Sequence, residues 1–198
     1  MKKIILIMLL FCMSAEIFAN NTFISINVGA TKLEGDEADY YKTGYYAGIN
    51  ILGEISPNFL MGVNLGYSKI SADTDKMKQD LTEAGATVYS IEGSGTSLQA
   101  LVAFRLRTQE ADGFSFFLQA GVGMYFAKEK LEMEIDIYGW PETYSLNESQ
   151  DKPGISIGGG ISLGSTDKLQ FEIFPQYHII FTDDENAKYW TFSLGIAF

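Results

Sequence analysis

The only histidine, His178, is the first side chain to consider for chemistry, because imidazole is a common general base near neutral pH. A nucleophilic hydrolase needs such a base within hydrogen-bonding reach of an activated hydroxyl group. In segments where polar and apolar residues alternate, His178 falls on the inward face, and so do Ser97, Ser156 and Ser193. No sequence spacing pairs any of these serines with His178. We therefore interpret His178 as a hydrogen-bonded interior residue and predict no catalytic residues, no enzyme activity and no cofactor.

Arg105 and Glu172 carry opposite charges on the same alternating face, and each lies close to a short connection. Their depths in the fold should therefore be similar. A buried charge is tolerated when a counter-charge accompanies it. We predict a static ion pair within a plugged polar interior, although Arg107 competes for the same carboxylate. The alternative function of the pair is a gate on a narrow path for solutes.

Two acidic clusters, Asp183-Asp184-Glu185 and residues 34–39, supply the carboxylate oxygens that Ca²⁺ and Mg²⁺ prefer. Neither cluster has the spacing of a calcium-binding loop. The clusters are therefore interpreted as solvated acidic surface, and no metal site is predicted. The 198-residue chain has a net charge of -11, which argues against nucleic acid as a partner.

The elements that must position these residues are segments in which apolar and polar residues alternate. This period of two is typical of a β-strand with one apolar face. In the last segment the apolar face carries Trp190, Phe192 and Phe198. Pro175, in the seventh, lacks an amide donor and predicts a local bulge or defect. The segments cover residues 24–30, 43–51, 59–67, 98–107, 114–126, 155–163, 170–181 and 190–198.

The connections between these segments alternate in length. Short turns on one side and long loops on the other are typical of transmembrane barrels, whose long loops are extracellular. Most acidic residues also fall in the long connections. The connections cover residues 32–40, 53–57, 71–91, 108–113, 128–153, 165–168 and 182–188.

The amino-terminal residues 1–19 combine two lysines, an apolar run and a terminal Ala19, which predicts a secretory signal peptide. The only cysteine, Cys12, lies within it, so disulfides are excluded from residues 20–198. No apolar run after residue 19 approaches the ~20 residues of a membrane helix. A chain of this kind spans a membrane only as a closed barrel.

The longest connection, residues 128–153, contains its own alternation of Leu131, Met133, Ile135 and Ile137 with polar residues. This pattern predicts a hairpin that continues the fifth and sixth strands beyond the membrane. The alternative is a stiff loop that folds over the barrel mouth. Because the apolar set moves from even to odd positions after residue 126, we predict a bulge at residues 128–130. The predicted contact residues are Tyr138, Trp140 and Tyr144.

The strand count, the loop asymmetry and the ending Phe192-Ser-Leu-Gly-Ile-Ala-Phe198 resemble the small eight-stranded outer-membrane barrels, which include OmpX, Ail and the OmpA transmembrane domain. The resemblance implies an all-β fold, an eight-stranded antiparallel transmembrane up-and-down β-barrel over residues 20–198. It implies a place in the outer membrane of a Gram-negative bacterium, among lipids and lipopolysaccharide. It also implies that the barrel-assembly machinery recognises Trp190, Phe192 and Phe198.

The sequence supports three hypotheses about function. The leading hypothesis is a non-enzymatic surface protein, either structural or adhesion-like, which meets a host or other surface protein through its extracellular loops. The second is a narrow, porin-like channel for small solutes. The third is a lipid A-modifying enzyme, since some barrels of this group have that activity. The deacylase type uses a serine two residues after its histidine, and here that position is Ile180, so the pattern fails.

Overall fold

The structure, a computed structural model, describes residues 22–108, 113–137, 140–164, 169–183 and 185–198. The predicted signal peptide, residues 1–19, and the predicted contact residue Tyr138 lie outside this part of the chain. Eight antiparallel strands follow one another around a closed barrel, and the first pairs with the last. The predicted fold class is thus confirmed. The strands are β1 (Thr22–Glu34), β2 (Gly44–Ser56), β3 (Phe59–Ser71), β4 (Ala86–Arg107), β5 (Phe114–Ile137), β6 (Trp140–Gly164), β7 (Gln170–Ile180) and β8 (Ala187–Ala197).

The predicted faces of the strands are confirmed over the body of the barrel. Side chains that point outward are apolar and exposed, as a lipid-facing belt requires; Leu118, for example, is 65% exposed. Side chains that point into the lumen are mostly polar and buried, as the interior of a narrow barrel requires. The buried lumen side chains include Ser25, Asn27, Asn50, Asn64, Gln99, Gln119, Gln176 and Thr191.

Pro175 interrupts the pairing of β6 with β7 without shifting it. The ladder contains Gly158 opposite Gln176 and Ile161 opposite Ile173, and the two pairs between them are missing. The register is the same on both sides of the gap. The predicted defect is therefore an interruption of the ladder, because proline has no amide to donate, and no bulge accompanies it.

In the described part of the chain, two helices lie at the end of the barrel that carries the long connections. A 3-10 helix spans Asp36–Tyr40, and α1 spans Thr74–Glu83. The side chain of Asp73 caps α1 by accepting a hydrogen bond from the amide of Lys76 at 3.3 Å. The sequence analysis treated residues 71–91 as a connection and predicted neither α1 nor the first part of β4 within it. Within the described residues, no helix is long and apolar enough to cross a membrane.

Strands β4, β5 and β6 are about twice as long as the others, with 22, 24 and 25 residues. Their upper parts form what we call the protruding sheet, residues 86–97, 127–137 and 140–150. The predicted hairpin is confirmed, since β5 and β6 pair without a break up to Ile137 opposite Trp140. The predicted bulge at residues 128–130 is wrong. The irregularity lies instead in β4, between Val88 and Ser90.

The physical reason for the misplaced bulge is a change of surroundings along unbroken strands. Odd positions of β5 point into the polar lumen below, and above it the same odd positions are the less exposed ones, with Ile135 buried. Even positions meet lipid below and water above. The apolar set therefore changes parity while the backbone stays regular, so the periodicity alone suggested a register shift that does not exist.

Candidate functional site

The protruding sheet has an inner face, which continues the lumen side of the strands and is largely apolar. Leu131 lies opposite Leu146, and Met133 lies opposite Tyr144. Helix α1 packs against β4. The segment just before α1 approaches β4 closely. A Cβ on Gly93 would lie 2.8 Å from Cβ of Ala72, and it would lie 2.9 Å from Cδ1 of Leu131 on β5.

The outer face of the protruding sheet continues the lipid-facing side and is polar. On β5 it carries Lys128, Lys130, Glu132 and Glu134, all exposed. The neighbouring positions of β6 are small and polar. They are Thr143, Ser145, Asn147 and Ser149.

The two edges of the protruding sheet differ. On the β4 side, β3 pairs as far as Ser71 opposite Ser94, the amide of Ala72 donates to the carbonyl of Gly93 at 2.9 Å, and α1 follows. On the β6 side, β7 pairs only with residues 154–164. In the part of the chain that the structure describes, residues 140–150 thus have a strand on one side alone. Such an edge is a template for a further strand.

Exposed aromatic and apolar side chains lie beside this open edge. Trp140, at the tip of the hairpin, is 75% exposed, Tyr144 is 46% exposed and Leu146 is 38% exposed. The Tyr144 hydroxyl donates a hydrogen bond to Glu142, and this bond together with the carboxylate charge raises the pKa of the tyrosine. Two of the three predicted contact residues, Trp140 and Tyr144, therefore lie on one exposed inner-face surface.

In the lumen, the structure brings Arg105 and Glu172 together. Nη1 of Arg105 lies 2.5 Å from Oε1 of Glu172, and both residues are buried. Nε of the same guanidinium donates to Oε1 of Gln119 at 2.9 Å. The guanidinium also lies 4.0 Å from the ring centre of Phe117. The sequence left Arg107 as a competing partner for Glu172. In the structure Arg107 pairs instead with Glu54, with 2.9 Å between Nη2 and Oε2.

A chain of hydrogen bonds extends from this ion pair across the lumen. The amide of Gln119 donates to Asn50 at 3.0 Å, and Asn64 donates to the same oxygen at 2.8 Å. Gln99 donates to Asn64 at 2.7 Å and accepts from the hydroxyl of Tyr189 at 3.0 Å. Fixed polar side chains therefore fill the section of the lumen between the ion pair and Tyr189.

His178 belongs to a layer of rings at the upper end of that chain. Its ring stacks on Tyr189 with 4.4 Å between centres. Its Nδ1 lies 3.1 Å from the hydroxyl of Tyr125, and its Nε2 lies 3.1 Å from the hydroxyl of Thr191. Both ring nitrogens thus have partners that are not serine, and the interpretation of His178 as a hydrogen-bonded lumen residue is confirmed.

The acidic loop residues that the structure describes are dispersed. Asp183 pairs with Lys152, and Glu129 accepts a hydrogen bond from Tyr41. Asp184 lies outside the described residues. Within them, no three His, Cys, Asp or Glu side chains come together as a possible metal site.

The carboxy-terminal strand closes the barrel. The amide of Phe198 donates to Ile24 and its carbonyl accepts from Ile24, each at 2.9 Å. Trp190, Phe192 and Phe198, the residues predicted as an assembly signal, are all exposed, and Trp190 packs on Tyr177 with 4.7 Å between ring centres.

Sequence reasoning missed two features at this end of the barrel. The first is α1, although Asp73 followed by a run of helix formers was a usable capping signal. The second is the first part of β4, because the irregularity between Val88 and Ser90 breaks the alternation that would have revealed it.

The family model described as outer membrane protein beta-barrel domain matches residues 4–198. Comparison with curated protein sequences gives no match. Among solved structures, Neisserial surface protein A is 12% identical, with a TM-score of 0.56 and coverage of 89% of this chain and 95% of that one. A major outer membrane protein from Thermus thermophilus is 14% identical, with a TM-score of 0.53 and coverage of 90% and 99%. Ail, the attachment invasion locus protein of Yersinia pestis, is 16% identical, with a TM-score of 0.47 and coverage of 89% and 97%. These likenesses concern the fold.

Proposed function

The chain belongs to the outer membrane protein beta-barrel domain family and is an integral outer-membrane protein, and from this premise we propose that it is a non-enzymatic surface protein that binds a partner through the protruding sheet. Lipid surrounds the barrel wall and side chains fill its lumen. The largest surface left for specific recognition is therefore the part of the strands that rises above the membrane.

The observation that carries this proposal is the difference between the two edges of the protruding sheet. One edge is covered by β3 and α1, while residues 140–150 of β6 have no strand beside them among the described residues. Natural sheets usually cover or blunt such edges, and an open one suits β-strand addition by a partner. Trp140 and Tyr144, which belong to the residue types favoured at binding hot spots, stand next to this edge.

Two double variants of β6 test the proposal. Tyr144→Ala/Leu146→Ala removes the apolar inner face beside the edge, whereas Thr143→Ala/Ser145→Ala alters the outer face of the same strand. We expect the first variant to lose binding to host cells or extracellular matrix and the second to retain it. Heat-modifiable gel mobility checks that both barrels fold. Equal binding by the two variants would remove the inner face from the contact.

A purely structural role and a narrow channel are the alternatives to partner binding. The chain of hydrogen bonds from Arg105 to Tyr189 and the rings around His178 support a closed lumen. We expect the protein to give no discrete conductance steps in planar bilayers, and steps that disappear in a lumen variant would favour the channel. An altered lipid A mass on overexpression would instead favour an enzyme.

A further inference from the structure

The inner face of β6 carries a regular charge pattern beside its open edge. Glu142, Tyr144, Leu146 and Glu148 occupy every second position, so their side chains lie on the same face of the strand. All four are exposed. The surface that meets an incoming strand is therefore ordered as acid, apolar, apolar, acid.

The other face of the same edge has a different character. Thr143, Ser145, Asn147 and Ser149 are small, uncharged and exposed. A strand that pairs with β6 places its alternate side chains beside these two faces in turn. The side chains of the incoming strand therefore meet different surroundings on its two faces, and the sequence of β6 defines both.

We infer that the partner is an extended protein segment with the pattern basic–x–apolar–x–apolar–x–basic, where x is a small polar residue. This inference rests on the proposed function of the protruding sheet. Its basic side chains would lie opposite Glu142 and Glu148, and its apolar side chains opposite Tyr144 and Leu146. The pattern reads the same in both directions, so it suits parallel and antiparallel addition alike. Opposite charges across a strand pair favour pairing, while backbone hydrogen bonds supply the general affinity.

The same pattern disfavours a second copy of this chain as the occupant. Residues 140–150 contain Glu142 and Glu148 and no basic residue. Like charges placed opposite each other destabilise a strand pair, and charged edges are a common protection against self-association. The net charge of -11 adds long-range repulsion between two chains.

Fluorescent synthetic peptides test this inference on the full protein in lipid nanodiscs. The probe is Lys-Thr-Val-Thr-Val-Thr-Lys. One control replaces both lysines by glutamate. The other, Thr-Lys-Val-Thr-Val-Lys-Thr, has the same composition with its lysines on the opposite face. We expect the probe to bind on the order of tenfold more tightly than either control.

A charge reversal makes the test specific to the edge. Glu142→Lys/Glu148→Lys should transfer the preference to the peptide with terminal glutamates. Glu132→Lys/Glu134→Lys changes the net charge equally on the outer face of β5, and we expect it to keep the original preference. Heat-modifiable gel mobility confirms that both variants fold.

Equal binding of the three peptides, no binding of any, or the same change in both reversed variants would overturn the inferred pattern. The outcome is separable from that of the proposed function. If Tyr144→Ala/Leu146→Ala still abolishes cell binding, the protruding sheet remains the contact and only the partner's chemistry is wrong. If that double variant binds cells normally, the proposed function itself fails.

Discussion

Strands β4, β5 and β6 run through both the barrel body and the protruding sheet, and the polarity of their two faces is opposite in the two regions. In the body, even positions of β5 such as Leu118 and Val122 face lipid, and odd positions such as Gln119 face a polar lumen. In the protruding sheet, even positions carry charge, and odd positions such as Leu131 are less exposed and lie close to Gly93 of β4. The surroundings, rather than the backbone, decide which face of a strand is apolar.

A second difference concerns pairing. In the body every strand has neighbours on both sides, and the closed barrel has no edge. In the protruding sheet β6 has an open edge along residues 140–150 within the described chain. Substitutions in the two regions should therefore have different consequences. We expect those in the body to affect stability in lipid and those in the protruding sheet to affect the proposed contact with a partner.

The largest effect should follow loss of the residue that closes the body. Deleting Phe198 removes two backbone hydrogen bonds to Ile24 and the terminal aromatic side chain, so we expect a severe loss of outer-membrane insertion. The yield of heat-modifiable protein in membrane fractions measures it. Phe198→Leu keeps the backbone pairing and separates closure from recognition of the aromatic. Wild-type yield of the deleted chain would exclude both roles.

The buried ion pair should be the next most sensitive feature of the body. Glu172→Gln leaves Arg105 without a counter-charge, and we expect a loss of about 3 kcal/mol in the free energy of unfolding. Glu134→Gln, on the outer face of the protruding sheet, should change it by less than about 0.5 kcal/mol. Urea unfolding in lipid vesicles measures both. Equal effects would mean that the lumen pair is not a dry, fixed interaction.

Reciprocal changes at even positions of β5 test the reversal of polarity directly. Val122→Lys puts a charge on the lipid face and should cost roughly 2–4 kcal/mol near the membrane centre. Lys130→Val, higher on the same strand, should cost less than about 0.5 kcal/mol because that position faces water. The same unfolding assay applies. Comparable costs at the two positions would contradict the change of surroundings.

The smallest effect concerns the base of α1. Nζ of Lys42 lies 3.3 Å from Asp75 and 3.6 Å from Asp73, and the hydrogen bond to Asp75 with the two negative charges raises the pKa of this lysine above 10.5. Since the folded-state pKa is the higher one, the stabilisation is complete below the ordinary pKa and is lost as pH rises through the raised value. NMR titration should show a pKa above 10.5 that falls in Asp75→Asn. A wild-type pKa at or below 10.5 would contradict this.

The sequence predicted the barrel body well because each face there meets one kind of surroundings. Alternation revealed all eight strands, and it placed Arg105 and Glu172 on the lumen side at similar depth, where the structure brings them together. Above the membrane the same rule failed. The parity change after Phe126 indicated a bulge at residues 128–130, whereas β5 is regular there and the irregularity lies in β4.

Two features of the candidate site depend on contacts that no local pattern contains. Helix α1 covers β4 and leaves β6 uncovered, so one edge is protected and the other is open. This asymmetry follows from where β7 ends, at Ile180, relative to β6. Sequence periodicity gives the faces of a strand, but it does not give how far each neighbour continues.

The most direct test of the central claim replaces residues 131–146 with a short Gly/Ser turn. Because the barrel pairs independently below this segment, we expect the shortened protein to retain heat-modifiable mobility and outer-membrane insertion. We expect it to lose adhesion to host cells or matrix that the full-length protein shows. Undiminished adhesion by the shortened, correctly inserted barrel would contradict the assignment of partner binding to the protruding sheet.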